Sequence, residues 1–388
     1  MRITGVRTVL YEYATARPIG DVQLPGGAET TADLAVFLLT DEEPVGLAIS
    51  SPGARPVIHA LAESLVGCDP HEVRALYELM LRITFKSGTG GAIGGAIGAL
   101  DCALWDLRAK ARALPLWREL GGGSNRVAAY ASALDAPLDD DALVTYYRGM
   151  AAGYGMSAGK LKVGREPERD LERLRLLRDA LSIAGRPQPS LMVDANEFWN
   201  PKQAIGRVRA LEREFDLVWV EEPARRDDHR GLARVSRGIS AAVATGENLT
   251  SIGQFMPLLL HEAVDVVQPT VQQLGITGAL RVAELADAFG LPIALVNCPG
   301  RYAAHVAAVV PNHLAMEVID AGRDAVIATA HRLEAGSIVL SDEPGLGFSF
   351  DEERLAARAV DAPSAGSLGR AYRRSRDSGI SEPGLTNS

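Results

Sequence analysis

The sequence predicts an α/β fold in which a parallel barrel of the triosephosphate isomerase type follows an N-terminal α+β domain. Three observations carry this. The chain has 388 residues, enough for a barrel and a second domain. After residue 125, eight short apolar strands recur with helical stretches between most of them. Before residue 125 the pattern is instead strands first and helices afterwards.

Within residues 1–125, MRITGVRTVLYEY and ADLAVFLLTDEEPVGLAIS read as strands, joined by the Gly- and Pro-rich loop ATARPIGDVQLPGGAETT. RPVIHALAESLVG, HEVRALYELMLR and AIGGAIGALDCALWDLRAKARA carry helical spacing. The run GTGGAIGGAIG lacks both the closing Gly-Lys-Ser/Thr and the preceding strand of a phosphate loop. Its glycines at 90, 94 and 98 recur once per helical turn and predict close helix packing. In residues 126–330 the barrel strands are, in order, RVAAYASA, GKLKV, SLMVDAN, LVWVEEP, AAVATGEN, VDVVQPT, PIALVNC and LAMEVID. Residues 331–362 form a C-terminal segment expected to return to the cap, with strand and turn signals over 333–350, and the polar stretch 363–388 reads as a disordered tail.

Composition narrows the function. Net charge is −9 with no basic run longer than a pair before the tail, so the electrostatic footprint of a nucleic-acid binder is missing. Cys68, Cys102 and Cys298 are odd in number and scattered, unlike a disulfide scaffold or a zinc site. The N-terminus alternates like a strand rather than a signal core, and no stretch reaches ~18 uninterrupted apolar residues. A cytoplasmic protein without a membrane partner is expected.

In such a barrel the chemistry sits at the C-terminal ends of the strands. Strand three ends in Asp194, strand four in Glu221 and strand five in Glu247, spaced 27 and 26 residues apart, one βα unit each time. Three carboxylates converging on one point repel unless a cation neutralises them, and oxygen ligands suit Mg²⁺. The competing reading is solvated acids, or pairs with Arg225 or Arg226. Glu222 and Asn196 are expected beside the ligands or facing the substrate. The chain spells 40 basic residues with only five lysines, and two of these, Lys160 and Lys162, stand two apart on strand two and therefore share a face. Each is expected to make the other harder to charge, and the nearby metal to add to that, so that one can serve as a neutral base. Simple pairing with the acids is the alternative.

ALDCALWDLRAKARALPLWRELGG, VAAYAS, KLK, VDAN, VEEP, TGEN and PGLGFSFDEE, in this order along nearly the whole chain, resemble the enolase superfamily, in its mandelate racemase and muconate lactonizing branch. The resemblance implies a capping domain over a (β/α)₇β barrel, completed by the C-terminal segment. It implies Mg²⁺ on Asp194, Glu221 and Glu247, and abstraction of a proton α to a substrate carboxylate to give an enediolate. It also implies Lys162 as base, Lys160 as the residue that tunes it, and Glu317 as a hydrogen-bonding partner of the enediolate.

Departures from the family pattern constrain the reaction. Where racemase-like members carry Asp on strand six and His on strand seven, this chain has Thr270 and Asn297, and no lysine follows Lys202. Two-base racemisation is then disfavoured unless Cys298 or a water takes the second role; a buried structural thiol is the plainer reading of Cys298. One-base β-elimination from a small hydroxy or sugar acid is the expected reaction. A racemase, epimerase or cycloisomerase, or an inactive metal- and ligand-binding relative, are the alternatives. The loop at 14–30 falls where the family places a lid, with Arg17 and Asp21 as candidate substrate contacts, and the apolar capping helices suggest a homo-oligomer.

Overall fold

The computed structural model describes residues 1–182, 188–322 and 324–362. The stretch 363–388, expected to be disordered, lies outside the described residues. The chain opens with β1 (Ile3–Ile19), β2 (Ala28–Thr40) and β3 (Gly46–Ser50), an antiparallel sheet in that order. Three helices follow: α1 (Arg55–Leu65), α2 (Val73–Ile83) and α3 (Ala92–Ala111), then the short α4 (Leu116–Glu119). Residues 94–107 of α3 are buried all round, as expected of a helix that is apolar on every side. One side covers β3, where a Cβ on Gly46 would lie 2.3 Å from the Ala103 carbonyl oxygen.

Among the described residues, eight parallel strands close the barrel. They are β4 (Arg126–Ser132), β5 (Ala158–Lys162), β6 (Ser190–Asp194), β7 (Leu217–Glu221), β8 (Ala242–Thr245), β9 (Val266–Val267), β10 (Ile293–Leu295) and β11 (His313–Val318). β11 pairs in parallel with β4 and completes the ring. The intervening helices are α5 (Asp140–Tyr154), α6 (Pro167–Leu181), α7 (Pro201–Leu211), α8 (His229–Gly238), α9 (Ile252–Leu260), α10 (Val271–Ala288) and the one-turn α11 (Ala304–Ala307). Sequence-encoded caps start several of them: Asp139 accepts from Ala142 N, and Asn200 with Gln203 forms a reciprocal box.

The period of two along each strand sorts the barrel into layers. Leu161, Val193, Val220, Val243 and Val267 face outward to the helices. Tyr130, Met192, Trp219, Ala244, Val266 and Ala294 form a separate inner cluster that plugs the barrel, with Tyr130 and Trp219 packed edge to face at 5.2 Å. Two residues further along β6 and β7 the inward positions are Asp194 and Glu221, so the polar layer rests on an apolar floor.

Beyond the barrel the chain first touches the cap, where Ala16 N donates to Ala321 O (3.0 Å). β12 (Ile327–Thr329) is followed by the hairpin β13 (Arg332–Glu334) and β14 (Ser337–Val339), which pairs antiparallel with the first half of β4. After Leu340 the chain returns to the cap, where Leu346 N donates to Asp106 Oδ1 (2.7 Å). β15 (Phe348–Phe350) then pairs with β12, and α12 (Glu352–Arg358) packs on β1.

Cap and barrel meet along α3 and α10. Gly94 and Gly98 lie in α3, and a Cβ on Gly98 would stand 2.7 Å from Gln272 O, so close packing explains this spacing. Gly90 precedes the helix, and an added Cβ there would meet nothing within 4 Å. α10 is broken at Gly275 (φ 69°), where Asp101 of α3 enters: its carboxylate accepts from Thr277 N (2.8 Å) and Oγ1 (2.6 Å). Burial pushes the Asp101 carboxyl up to about 7, against the hydrogen bonds from Thr277. Replacing Asp101 by Ala orphans two buried donors and should cost about 2–5 kcal/mol in urea unfolding. Because the folded pKa exceeds the unfolded one, the carboxyl's own contribution is greatest below ~pH 4 and declines as pH rises toward 7. The gap between the wild type and Asp101→Ala should therefore narrow over that window; a gap that widens contradicts the assignment.

Candidate active site

Register places the functional side chains. Lys162 pairs with Asp194 across β5 and β6, and Asp194 with Glu221 across β6 and β7, so the three stand at one level on adjacent strands. Lys160 lies one inward position deeper. Beyond β8 the chain turns at Gly246 (φ 128°), where a Cβ would meet the Phe255 ring at 2.7 Å, and this turn brings Glu247 to the rim. Glu317 is inward-facing on β11.

Lys160 Nζ donates to Glu221 Oε1 (2.5 Å) and pairs with Glu317 Oε1 (3.0 Å) and Asp194 Oδ2 (3.6 Å). Lys162 Nζ donates to Asp194 Oδ2 (2.5 Å). Glu221 Oε2 also accepts from Trp219 Nε1 (3.2 Å) and Gln268 Nε2 (2.7 Å). Asn248 Nδ2 donates to Glu222 Oε1 (2.8 Å) and to Glu247 Oε1 (3.4 Å). Apart from Glu247, which keeps some solvent contact, these ionisable groups are buried.

The electrostatics differ from the sequence expectation for the lysines. Burial, the largest influence, pulls Lys162 down and Lys160 adds to it, but Asp194, with Glu247 and Glu221, more than offsets both. Its pKa is raised, not lowered. Lys160 is likewise pulled down by burial and raised on balance by Glu221 and Glu317. Both amines are ammonium groups here, because each is clamped on carboxylates.

The acids divide. Burial pushes Asp194 and Glu317 upward, yet Lys162 and Lys160 prevail at Asp194, and Lys160 and Lys162 at Glu317, so both are held below the usual range. Glu221 is pushed up to about 8 by burial, with Asp194, Glu247 and Glu317 adding to it against Lys160. Glu247 is pushed up to about 8 by burial and by Glu222 and Asp194. Glu222 reaches about 7, from burial and Asp194. Two ammonium groups thus face five carboxylates, and three of the five lack enough positive charge to ionise readily. Among the described residues no three His, Cys, Asp or Glu side chains stand as a ready-made metal cage; the ammonium groups sit among the acids instead. The donor set is all oxygen and short of positive charge, which fits a hard divalent cation.

The remaining candidates are placed as follows. Asn196, at φ 43°, donates from its backbone to Asp194 Oδ1 (2.8 Å) and from Nδ2 to Oδ2 (3.3 Å). Thr270 is the buried N-cap position of α10. Asn297 is tied to β11: its N–H donates to Glu317 Oε2 (3.2 Å) and its Oδ1 accepts from Ile319 N (3.2 Å). Cys298 is buried, and its Sγ accepts from Ala303 N (3.2 Å), in keeping with the structural reading. Arg17 donates to Asp320 O (3.2 Å) and stacks over Tyr146 (4.2 Å). Asp21 is used inside its own loop, accepting from Gln23 N and Leu24 N. Beside Asn297 and Cys298 a cavity of about 360 Å³ opens between the ends of β10 and β11, flanked by Arg301, Asp320 and Asp324.

Sequence reasoning missed two groups. Gln268 contacts Glu221, and continuing the alternation from inward Val266 finds it. Asp135, just past β4, is wholly buried and accepts from Lys162 N (3.2 Å) and from Arg173 Nη2 (2.8 Å), which fixes the backbone of the lysine strand. No local pattern marks that pair.

The fold has counterparts among known proteins. The profile "Mandelate racemase / muconate lactonizing enzyme, N-terminal domain" matches residues 43–121, and "Enolase C-terminal domain-like" matches residues 142–354. The chain is 35% identical over 300 residues to a 3,6-anhydro-α-L-galactonate cycloisomerase of Streptomyces coelicolor, covering 76% of this chain and 81% of that protein. It is 31% identical over 367 residues to an L-talarate/galactarate dehydratase of Salmonella typhimurium, covering 91% and 90%. Among solved structures, a racemase from Streptomyces coelicolor with bound magnesium superposes with a TM-score of 0.85 at 30% identity, covering 92% of this chain and all (100%) of that one. The Salmonella dehydratase with magnesium and L-lyxarohydroxamate gives 0.81 at 28% identity, covering 92% and 93%. With the cap and the barrel both matched in sequence and the whole fold matched in space, the chain belongs to the enolase superfamily, in its mandelate racemase and muconate lactonizing enzyme family.

Proposed function

We propose that this protein is a Mg²⁺-dependent lyase that removes the proton α to the carboxylate of a hydroxy or sugar acid and expels a β-hydroxyl as water. One observation carries the reading: the conventional proton-transfer groups lie on one side. Lys160 and Lys162 stand on β5 against the acidic cluster, while beyond β9 and β10 the chain offers Thr270 and the tied-down Asn297. The named dehydratase and cycloisomerase relatives support this chemistry.

Asp194, Glu221 and Glu247 would hold Mg²⁺, which supplies positive charge to offset the negative charge that develops on the substrate carboxylate. Asp194 is what keeps the proton on Lys162. Once the charge of Asp194 is committed elsewhere, burial and the neighbouring Lys160 both favour the neutral amine, and Lys162 can accept the α-proton. Lys160, held by Glu221 and Glu317, stays charged and attracts the carboxylate end. Glu317, beside the Asn297 N–H, is placed to hydrogen-bond the enediolate. The β-substituent then leaves from the same face, and Lys162 returns its proton to it.

The cycloisomerase relative favours a second substrate geometry. An ether oxygen tethered at the β-position leaves by the same bond cleavage but stays attached, so the product keeps its mass. We also read the protein as a cytoplasmic homo-oligomer: its three cysteines are free, and Phe85 near the end of α2 is 73% exposed. Among the described residues no helix is long and apolar enough to cross a membrane.

Incubation of candidate acids with Mg²⁺ in D₂O tests the main reading. Lys162→Ala should reduce α-deuterium uptake by about 10³-fold; undiminished uptake sinks it. Mass spectrometry of the product separates the two geometries, since a hydroxy acid loses one water and a tethered ether loses nothing. Without divalent cation, Lys162 should resist an amine-acylating reagent at pH 9 and gain reactivity when Mg²⁺ is added. Equal labelling in both states would refute the role given to Asp194.

A further inference from the structure

The segment 20–27, GDVQLPGG, links β1 to β2 and lies against the barrel mouth. At one end Gly20 N donates to Leu134 O (2.9 Å). At the other, Gly27 takes φ 68°, where a Cβ would lie 2.8 Å from the Pro137 ring. Between them Asp21 Oδ1 holds a turn by accepting from Gln23 N (2.8 Å) and Leu24 N (2.9 Å). The tip residue, Val22, is only 2% exposed. It is wedged against Gly164, whose added Cβ would stand 3.1 Å from Val22 Cγ1. Arg165 Nε donates to Val22 O (2.8 Å) while its guanidinium stacks over Phe198 (4.9 Å). A surface loop with a buried apolar tip is latched shut. A cavity of about 560 Å³ beside it, lined by Ile19, Leu24, Thr31, Pro52 and Leu134, leaves room for movement.

The latch has a second anchor, inside the acidic cluster. Val22 N donates to Asn196 Oδ1 (3.4 Å), and Gln23 Nε2 donates to Asn196 O (2.7 Å). Through its backbone N–H and Nδ2 the same asparagine donates to both oxygens of Asp194. One side chain is thus shared between the loop tip and the carboxylate that holds Lys162. Its backbone sits at φ 43°, which asparagine tolerates better than most residues.

We propose that Asn196 is a positioning residue that couples closure of the 20–27 segment to occupation of the acidic cluster by a divalent cation, so that each stabilises the other. The proposal rests on the metal assignment made above. A divalent cation held by several carboxylates would fix Asp194 more firmly than the hydrogen bond from the single Lys162 ammonium does. Asn196, bonded to both of its oxygens, is fixed with it. Its Oδ1 then stays aimed at Val22 N, and the segment gives up less conformational freedom on docking. By linkage, a closed segment raises cation affinity by the same factor.

The test reads hydrogen exchange at the amides of residues 20–27 with Mg²⁺ alone, beside calorimetric titration of Mg²⁺. In the wild type, saturating Mg²⁺ should slow exchange of the segment about fivefold or more. Asn196→Ala should still bind Mg²⁺ but lose the slowing. Arg165→Ala, which leaves the acidic cluster untouched, should exchange faster at rest and bind Mg²⁺ more weakly. If Asn196→Ala speeds exchange equally with and without Mg²⁺, the asparagine is merely structural and the coupling is overturned. Should Asn196→Ala fail to fold, unchanged Mg²⁺ affinity in an Arg165→Ala protein with a faster-exchanging segment overturns it as well. Mg²⁺ binding to the wild type with no change in the segment removes the coupling and leaves the proposed function intact, whereas no Mg²⁺ binding at all removes both.

Discussion

Five carboxylates and two ammonium groups share one largely dry layer at the mouth of this barrel, and the rest of the structure is arranged around that imbalance. Isolated buried charge is expensive, so such a layer persists only if it is fixed from several sides. Below it, Tyr130, Met192 and Trp219 form an apolar floor that leaves the acids no deeper place to relax. Around it, Gln268, Trp219 and Asn248 supply neutral donors where cations are too few. Behind it, the buried Asp135–Arg173 pair grips the backbone of Lys162, and Tyr147 OH donates to Lys160 O (2.5 Å). Rigid support of this kind lets two lysines be held at fixed positions against their acids rather than roam as flexible side chains.

Much of this was legible in the sequence because barrels translate spacing into geometry. Strand ends one βα unit apart must be neighbours, so Asp194, Glu221 and Glu247 could be gathered without knowing any contact. Two lysines two residues apart on a strand must share a face. The register bears out the first inference at Asp194 and Glu221, which pair directly. The protonation of the lysines was not legible. It depends on how closely Asp194 and the other carboxylates approach each amine, a question of ångströms that spacing does not answer. Asp135 and Arg173 were missed for a related reason: a buried ion pair between a loop and a helix 38 residues on leaves no periodic trace. The hairpin of β13 and β14 was read only as strand signal, because nothing local tells which sheet edge a short strand will join.

The relatives span dehydratases, cycloisomerases and epimerases, and the site suggests why one scaffold serves all three. A site able to stabilise an enediolate is the part that reactions beginning with removal of an α-proton can share. What differs is what waits on the far face of the substrate and whether a leaving group is present. In this chain β9 is followed by Thr270, at the N-cap position of α10 but with no side-chain capping bond, and β10 by Asn297, whose side chain is committed to the end of the neighbouring strand. Chemical economy on that side then favours reactions that finish on the face where they started.

The break in α10 at Gly275 bears on how such an enzyme can change over time. Asp101 fills the gap and α3 runs against α10 closely enough that Gly98 has no room for a side chain, so cap and barrel are joined backbone to backbone. A roof fastened in this way has no easy hinge. New substrates cannot be admitted by tilting one domain against the other, and the freedom to adapt is left to the loops strung between the fixed parts. Divergence among relatives should therefore gather in those loops while the seam between the two domains drifts slowly.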